Sequence, residues 1–432
     1  MKRALLVVAV NIALIILGFL AVESYFRFVA GPAPQDSAKT AWPNGVWLQF
    51  RPYVLYTNTH ASGQWQNTFT GKIYPTTAKT NSAGFNDPRE FSLTKPYKKA
   101  PNERVVLLTG GSVAWGVGST ATDTTIAGRM QYHLNSRQSA VKYTVVNLAM
   151  GAWIAYQEFI GLELWGTPFQ PDWVVVMDGF NDALAGCAYS QGVANPIYYA
   201  LIKSYVEAYL MTTMRPVFYR GWLENELIRL SAAYRHITGK EYVPYLLQTD
   251  EASHEGAMIK KAILPTKIGE ARDMLDFYLK AQVAMLKLFP EARYILSTQP
   301  IANQISADFT DIYDHPPGSD AARAATAKRA GELEDYLTQF EQQPCNQANY
   351  HPAYAYILVN GAIRLTRLVE EERERGRAVE YANIGLLFPK ERNDRIPYFI
   401  DSVHLTDGGA DLIGRFYAER ILQESNARPA SH

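Results

Sequence analysis

Ser112 follows two glycines, Gly110 and Gly111, at the end of the apolar run Val105-Val106-Leu107-Leu108. A serine hydroxyl is a weak nucleophile until a neighbouring base takes its proton. His404 is the candidate base. Of the 8 histidines it is the one with an aspartate three positions earlier, Asp401, and a helix start just after it, at Thr406-Asp407-Gly408-Gly409. At that spacing the carboxylate can bond the ring Nδ1–H, which leaves Nε2 free to accept a proton. Two further residues offer hydrogen-bond donors. Gly151 closes the run Asn147-Leu148-Ala149-Met150, where its N–H could face a substrate oxygen or simply form a tight turn. Asn181 lies in Asp178-Gly179-Phe180-Asn181-Asp182, where its side-chain amide could donate into a cleft or cap a helix. Taken together, these residue types suit attack on an ester carbonyl and binding of the oxyanion that results.

Such residues act in concert only if the fold gathers them, and the sequence alternates in a way that would do so. Strands are expected at 104–109, Tyr143–Leu148, Trp173–Met177, Arg293–Ser297 and Val379–Ile384. Helices are expected at 122–137, near 155–165, along the face Met274, Phe277, Ala281, Met285 and Leu288, near 320–340, and over 353–375 and 409–423. Strands alternating with helices imply an α/β fold, with a parallel sheet covered on both faces. Ser112, Gly151 and Asn181 each follow a strand, at the carboxyl edge where open α/β sheets bind ligands.

The order Ser, Gly, Asn, Asp-x-x-His resembles that of the SGNH (GDSL-type) hydrolases over about residues 80 to 425, with a large insertion. By that resemblance Ser112 is the nucleophile, Gly151 and Asn181 are the oxyanion-hole donors, and Asp401 and His404 form the base pair. The family's G-x-N-D block stands as Gly179-Phe180-Asn181-Asp182, and its D-x-x-H block as Asp401 to His404. One position departs, since the family's G-D-S reads Gly110-Gly111-Ser112 here. The resemblance implies a flavodoxin-like three-layer sandwich with a five-stranded parallel sheet. It also implies a serine esterase or acyltransferase without cofactor, acting on acyl groups, O-acetyl above all, of a cell-envelope polysaccharide. A lipid or lysophospholipid esterase, and a non-catalytic glycan-binding protein that keeps the fold, are the alternatives.

The remainder of the chain narrows the setting. Lys+Arg and Asp+Glu both number 42 in 432 residues, which gives no electrostatic case for nucleic acid. Lys2 and Arg3 precede a charge-free run from Ala4 to Val22, just long enough to span a bilayer as a helix. No clear cleavage site follows it. The expectation is a membrane anchor, with a cleaved signal peptide as the alternative, a cytoplasmic amino terminus and a catalytic domain on the periplasmic or extracytoplasmic side. Residues 1–30 are then anchor and flank, and 31–100 an irregular lead-in with a few short strands. Residues 101–425 form the catalytic domain, with its insertion at about 187–270. That insertion holds Tyr198, Tyr199, Tyr205, Tyr209, Phe218, Tyr219 and Trp222, which suit a substrate cleft or a small core of the insertion's own. Cys187 and Cys345, the 2 cysteines, are open between a disulfide, which export would permit, and two free thiols. Gly116-Val117-Gly118-Ser119-Thr120-Ala121 matches a dinucleotide fingerprint in letters but begins well past the strand end, and no Gly-Lys-Ser/Thr loop occurs.

Overall fold

The structure, a computed structural model, describes residues 48–51, 53–58, 63–136, 140–184, 267–302, 319–345 and 351–427, with positions 18, 20–25, 227, 231, 233–234 and 246–247. The chain divides into two compact units, Met1–Thr40 with Lys203–Gln248, and Ala41–Ile202 with Thr249–His432. In the first, the buried Glu23 carboxylate accepts bonds from the Ser231 hydroxyl at 2.7 Å and the Ala233 N–H at 3.1 Å. Most of the run 4–22 and the insertion aromatics named above lie outside the described residues. Among the described residues, no helix is long and apolar enough to cross a membrane.

The second unit is built on a sheet. Two antiparallel hairpins come first: β1 (Leu48–Arg51) with β2 (Leu55–Asn58), and β3 (Gly63–Gln66) with β4 (Ile73–Thr76). Then follow β5 (Glu103–Gly110), β6 (Lys142–Asn147), β7 (Trp173–Asp178), β8 (Arg293–Thr298) and β9 (Val379–Ala382). These five form one parallel sheet in the order β9-β8-β7-β5-β6. Numbered within the sheet this is 2-1-3-4-5, the doubly wound order of flavodoxin-like folds, with its switch point beside the first strand. Every residue of β7 is buried, as the continuous run Trp173-Val174-Val175-Val176-Met177 requires of a strand covered on both faces.

Helices supply the two covering layers. The main ones are α1 (Ser112–Trp115), α2 (Ile126–Asn135), α3 (Ala155–Gly161), α4 (Phe180–Leu184), α5 (Ala271–Leu288), α6 (Asp320–Thr338), α7 (His351–Glu374) and α8 (Asp407–Ala427). Two residues of β8 show the layering. Tyr294 donates its hydroxyl to the Met285 carbonyl of α5, while Ser297 meets the Tyr417 hydroxyl of α8. Three positions apart on a strand, they point to opposite faces. On the α8 face, Gly414 lets α8 approach α2, where a Cβ would come within 2.8 Å of Arg129. On the other face α3, α4, α5 and α7 pack on one another.

The expected strands fall within a residue or two of those observed, and the lead-in holds short strands as read. The helix expected near 155–165 is shorter. Regular α-helix stops at Gly161, which packs on Trp153, and a wider turn over Leu162–Gly166 follows. Cys345 is buried and disulfide-bonded, and Cys187, the one other cysteine of the sequence, lies outside the described residues.

Candidate active site

The position of Ser112 begins with a glycine. At Gly110 φ is +154°, and a Cβ would lie 2.3 Å from the Met177 carbonyl oxygen. Only glycine lets β5 pass so close to β7 and turn out of the sheet. Ser112 then opens the short helix α1. The end of that helix is fixed, because the Trp115 carbonyl accepts from the Asn86 amide at 3.0 Å and the Asn147 amide at 3.3 Å.

His404 arrives from the far end of the chain on a loop that is braced twice. The Ile400 N–H donates to the His404 carbonyl at 2.8 Å, and the Thr406 N–H to the Tyr398 carbonyl at 2.9 Å. Beyond the β3 strand, the Thr68 N–H donates to the Ile400 carbonyl at 2.6 Å, and the Asn67 amide to the Phe399 carbonyl at 3.0 Å. The Asp407 carboxylate, at the start of α8, accepts from the Thr120 N–H at 2.9 Å. Gly118 admits the Leu405 carbonyl to within 2.1 Å of where its Cβ would be. Gly118 of the fingerprint-like stretch thus serves close packing against the loop that carries His404, while Gly116 packs against Thr125 and Asn86.

These braces bring three side chains into line. His404 Nε2 lies 2.9 Å from Ser112 Oγ, and His404 Nδ1 lies 2.7 Å from Asp401 Oδ2. An ionised carboxylate can only accept, so Nδ1 carries the proton and Nε2 is the acceptor for the serine hydroxyl. The other oxygen, Asp401 Oδ1, accepts from the N–H groups of Val403 at 2.8 Å and His404 at 2.7 Å. Burial pushes the Asp401 carboxyl up, but the charge and hydrogen bonds of His404, with the bond from Val403, outweigh it and hold the group below the usual carboxylate range.

The donors assemble from the next two strands. The Met150 N–H bonds the Gly110 carbonyl at 3.0 Å, which sets Gly151 beside the turn that carries Ser112. Asn181, on α4 after β7, donates from Nδ2 to the Trp153 carbonyl at 2.7 Å, which leaves its second N–H available. A Cβ on Gly111 would lie 2.4 Å from that Nδ2. In this backbone a side chain at position 111 would have to displace that amide.

Sequence reasoning missed a buried carboxyl cluster behind Asn181. Asp178 and Asp182 flank it in the same motif, and Glu158 joins them from α3. Asp178 accepts from the Gly179 N–H at 2.5 Å and the Gln282 amide at 3.1 Å, and Asp182 from the Ala155 N–H at 3.1 Å. Burial, and then the charges of Asp178 and Asp182, raise Glu158 well above the usual range. Burial and the charge of Asp178 do the same to Asp182. Asp178 itself is pushed up to about 6 by burial, against the bond from Gly179. The folded cluster holds protons that the unfolded chain releases near pH 4. Its contribution to stability is therefore full below about pH 4 and is lost as pH rises through about 6 and beyond. Thermal melts of Glu158→Gln should lose less stability than wild type between pH 5 and pH 8. Equal losses would show that the cluster does not titrate as described.

Among the described residues no group of His, Cys, Asp and Glu is arranged to hold a metal ion. No protein-family model matches the chain, and no curated protein matches it. Some solved structures align with it at low similarity. A lipase/acylhydrolase from Enterococcus faecalis does so at 12% identity and a TM-score of 0.34, over 74% of this chain and 96% of that one. A GDSL-like lipase from Bacteroides thetaiotaomicron gives 10% and 0.33, over 76% and 92%. A family 3 carbohydrate esterase from Clostridium thermocellum gives 12% and 0.31, over 74% and 98%. At these values the functional reading rests on the site's own geometry.

Proposed function

We propose that this chain is a serine esterase of the SGNH type, with Ser112 as nucleophile, His404 as general base and Asp401 as its orienting carboxylate. The observation that carries the reading is the continuous line Ser112–His404–Asp401, with contacts of 2.9 and 2.7 Å. His404 Nε2 takes the hydroxyl proton as Oγ attacks an ester carbonyl. The Ser112 and Gly151 N–H groups and the Asn181 amide receive the charge that develops on the carbonyl oxygen. The imidazolium then returns its proton to the leaving alkoxide. Water, or an acceptor hydroxyl, is deprotonated in the same way to release the acyl group from Ser112.

The substrate in this reading is an ester-linked acyl group, O-acetyl above all, on a cell-envelope polysaccharide, cleaved or passed to an acceptor. Support comes from the apolar run Ala4–Val22 behind Lys2 and Arg3. It would anchor the chain with its catalytic unit on the periplasmic or extracytoplasmic side, where such polymers lie. Full-length protein in detergent should release acetate from O-acetylated polysaccharide and from p-nitrophenyl acetate, with no added cofactor. Acetyl appearing on an acceptor glycan would mark transfer. Fatty acid released from lysophospholipid, with none of the acetyl esters cleaved, would overturn the carbohydrate assignment.

A further inference from the structure

The loop that presents Gly151 contains an unusual backbone. Ala152, the next residue, has φ +62°, a left-handed conformation at a residue other than glycine. Such a conformation persists only where the surroundings impose it, and strain of this kind gathers at functional sites. In this loop a turn bond from the Trp153 N–H to the Met150 carbonyl, at 3.3 Å, is backed by contacts from the lead-in hairpin. The Tyr56 hydroxyl donates to the Ala152 carbonyl at 2.6 Å, from a residue 96 positions earlier in the chain. The Trp153 indole N–H returns a bond to the Tyr56 carbonyl at 2.9 Å, and the Gln157 amide donates to the Val54 carbonyl at 2.7 Å. Val54, Tyr56 and Trp153 are fully buried, and the Trp153 and Gln157 bonds are shielded from water, while the Tyr56–Ala152 bond is half-buried.

The peptide so clamped lies between the two side-chain and backbone donors of the site. One residue before it is Gly151. One residue after it is Trp153, whose carbonyl holds the Asn181 amide at 2.7 Å. The clamped carbonyl shares its peptide with the Trp153 N–H, so its release would let the left-handed turn at Ala152 relax and shift both neighbours, the Gly151 backbone and the Trp153 carbonyl that orients Asn181. We propose that Tyr56 is a positioning residue of the oxyanion hole: its hydroxyl holds Ala152 left-handed and so aims the Gly151 N–H at the carbonyl that Ser112 attacks. The proposal rests on the esterase reading above. It assigns a catalytic consequence to a lead-in strand that contributes no reacting group.

Tyr56→Phe removes one oxygen and keeps the buried ring. Misaiming one donor of three should lower kcat by roughly 10- to 100-fold, less than deletion of a donor outright. KM should stay within about twofold of wild type, because the donor acts on charge that develops in the transition state. Rates are taken per active site, counted by fluorophosphonate labelling, and melting is followed beside them. Adding Ala152→Gly to Tyr56→Phe should recover part of the lost kcat, since glycine adopts the left-handed conformation without the clamp. Unchanged kcat per labelled site in Tyr56→Phe, or a fall only in stability or labelled fraction, would overturn the proposal while leaving the esterase reading intact. A loss of kcat that Ala152→Gly does not relieve would also overturn it. An inert wild type would remove the esterase reading, and this proposal with it.

Discussion

Ester turnover should fall by about 10⁶-fold in kcat when Ser112 is replaced by Ala, and by a similar factor for His404→Ala, as for removal of a nucleophile or base from a serine triad. The basis is a single proton path. Ser112 Oγ has His404 Nε2 at 2.9 Å as its acceptor, and without either partner the hydroxyl attacks no faster than an ordinary alcohol. The two losses should not add, because the double variant lacks the same one step. Asp401→Ala should cost less, about 10⁴-fold, since the imidazole can still reach Ser112 in the correct tautomer part of the time. Asp401, held below the usual carboxylate range, should stay ionised as pH falls toward that range and so keep its bond to Nδ1. Steady-state kinetics on p-nitrophenyl acetate measure all three variants. Wild-type rates in both Ser112→Ala and His404→Ala would remove the mechanism.

A second expected result separates binding of the transition state from binding of the substrate. Asn181→Ala should lower kcat by about 10²–10³, roughly 3–4 kcal/mol, with little change in KM. Gly111→Ala should produce nearly the same loss from a different residue. Its new methyl would lie 2.4 Å from Asn181 Nδ2 and must push that amide from its place on the Trp153 carbonyl. If displacement of Asn181 is the whole effect, the double variant is no slower than the worse single one. A Gly111→Ala enzyme with wild-type kcat would show that the amide is not needed where it stands.

Much of this arrangement was legible in the sequence. The five parallel strands were marked by short apolar runs between turn residues, and the candidate residues by their place just after them. Asp401 and His404 could be paired because three residues of chain connect them, so their contact is local. The contact of His404 with Ser112 spans 292 residues and was foreseen from the order of motifs alone. What stayed hidden depends on tertiary neighbours. Asn67, Thr68 and Asp407 look like ordinary turn and cap residues, yet they brace the His404 loop through backbone groups far away in sequence. Tyr56 sits in a stretch with no helical or strong strand periodicity, and its partner carbonyl carries no side-chain signal. Glu158 reads as a polar residue on a helix, because nothing local tells that Asp178 and Asp182 close around it. Nothing local to Gly111 tells that the Asn181 amide would lie 2.4 Å from a Cβ there.

The central claim is that Ser112 is an activated nucleophile, and covalent capture tests it most directly. Full-length protein in detergent is treated with a fluorophosphonate, its intact mass is recorded, and the modified peptide is sequenced. Ser112→Ala and His404→Ala are treated in parallel. One adduct on wild type, located at Ser112, absent from Ser112→Ala and formed far more slowly in His404→Ala, is the predicted result. No adduct on folded wild type, or an adduct that persists in Ser112→Ala, would contradict the account.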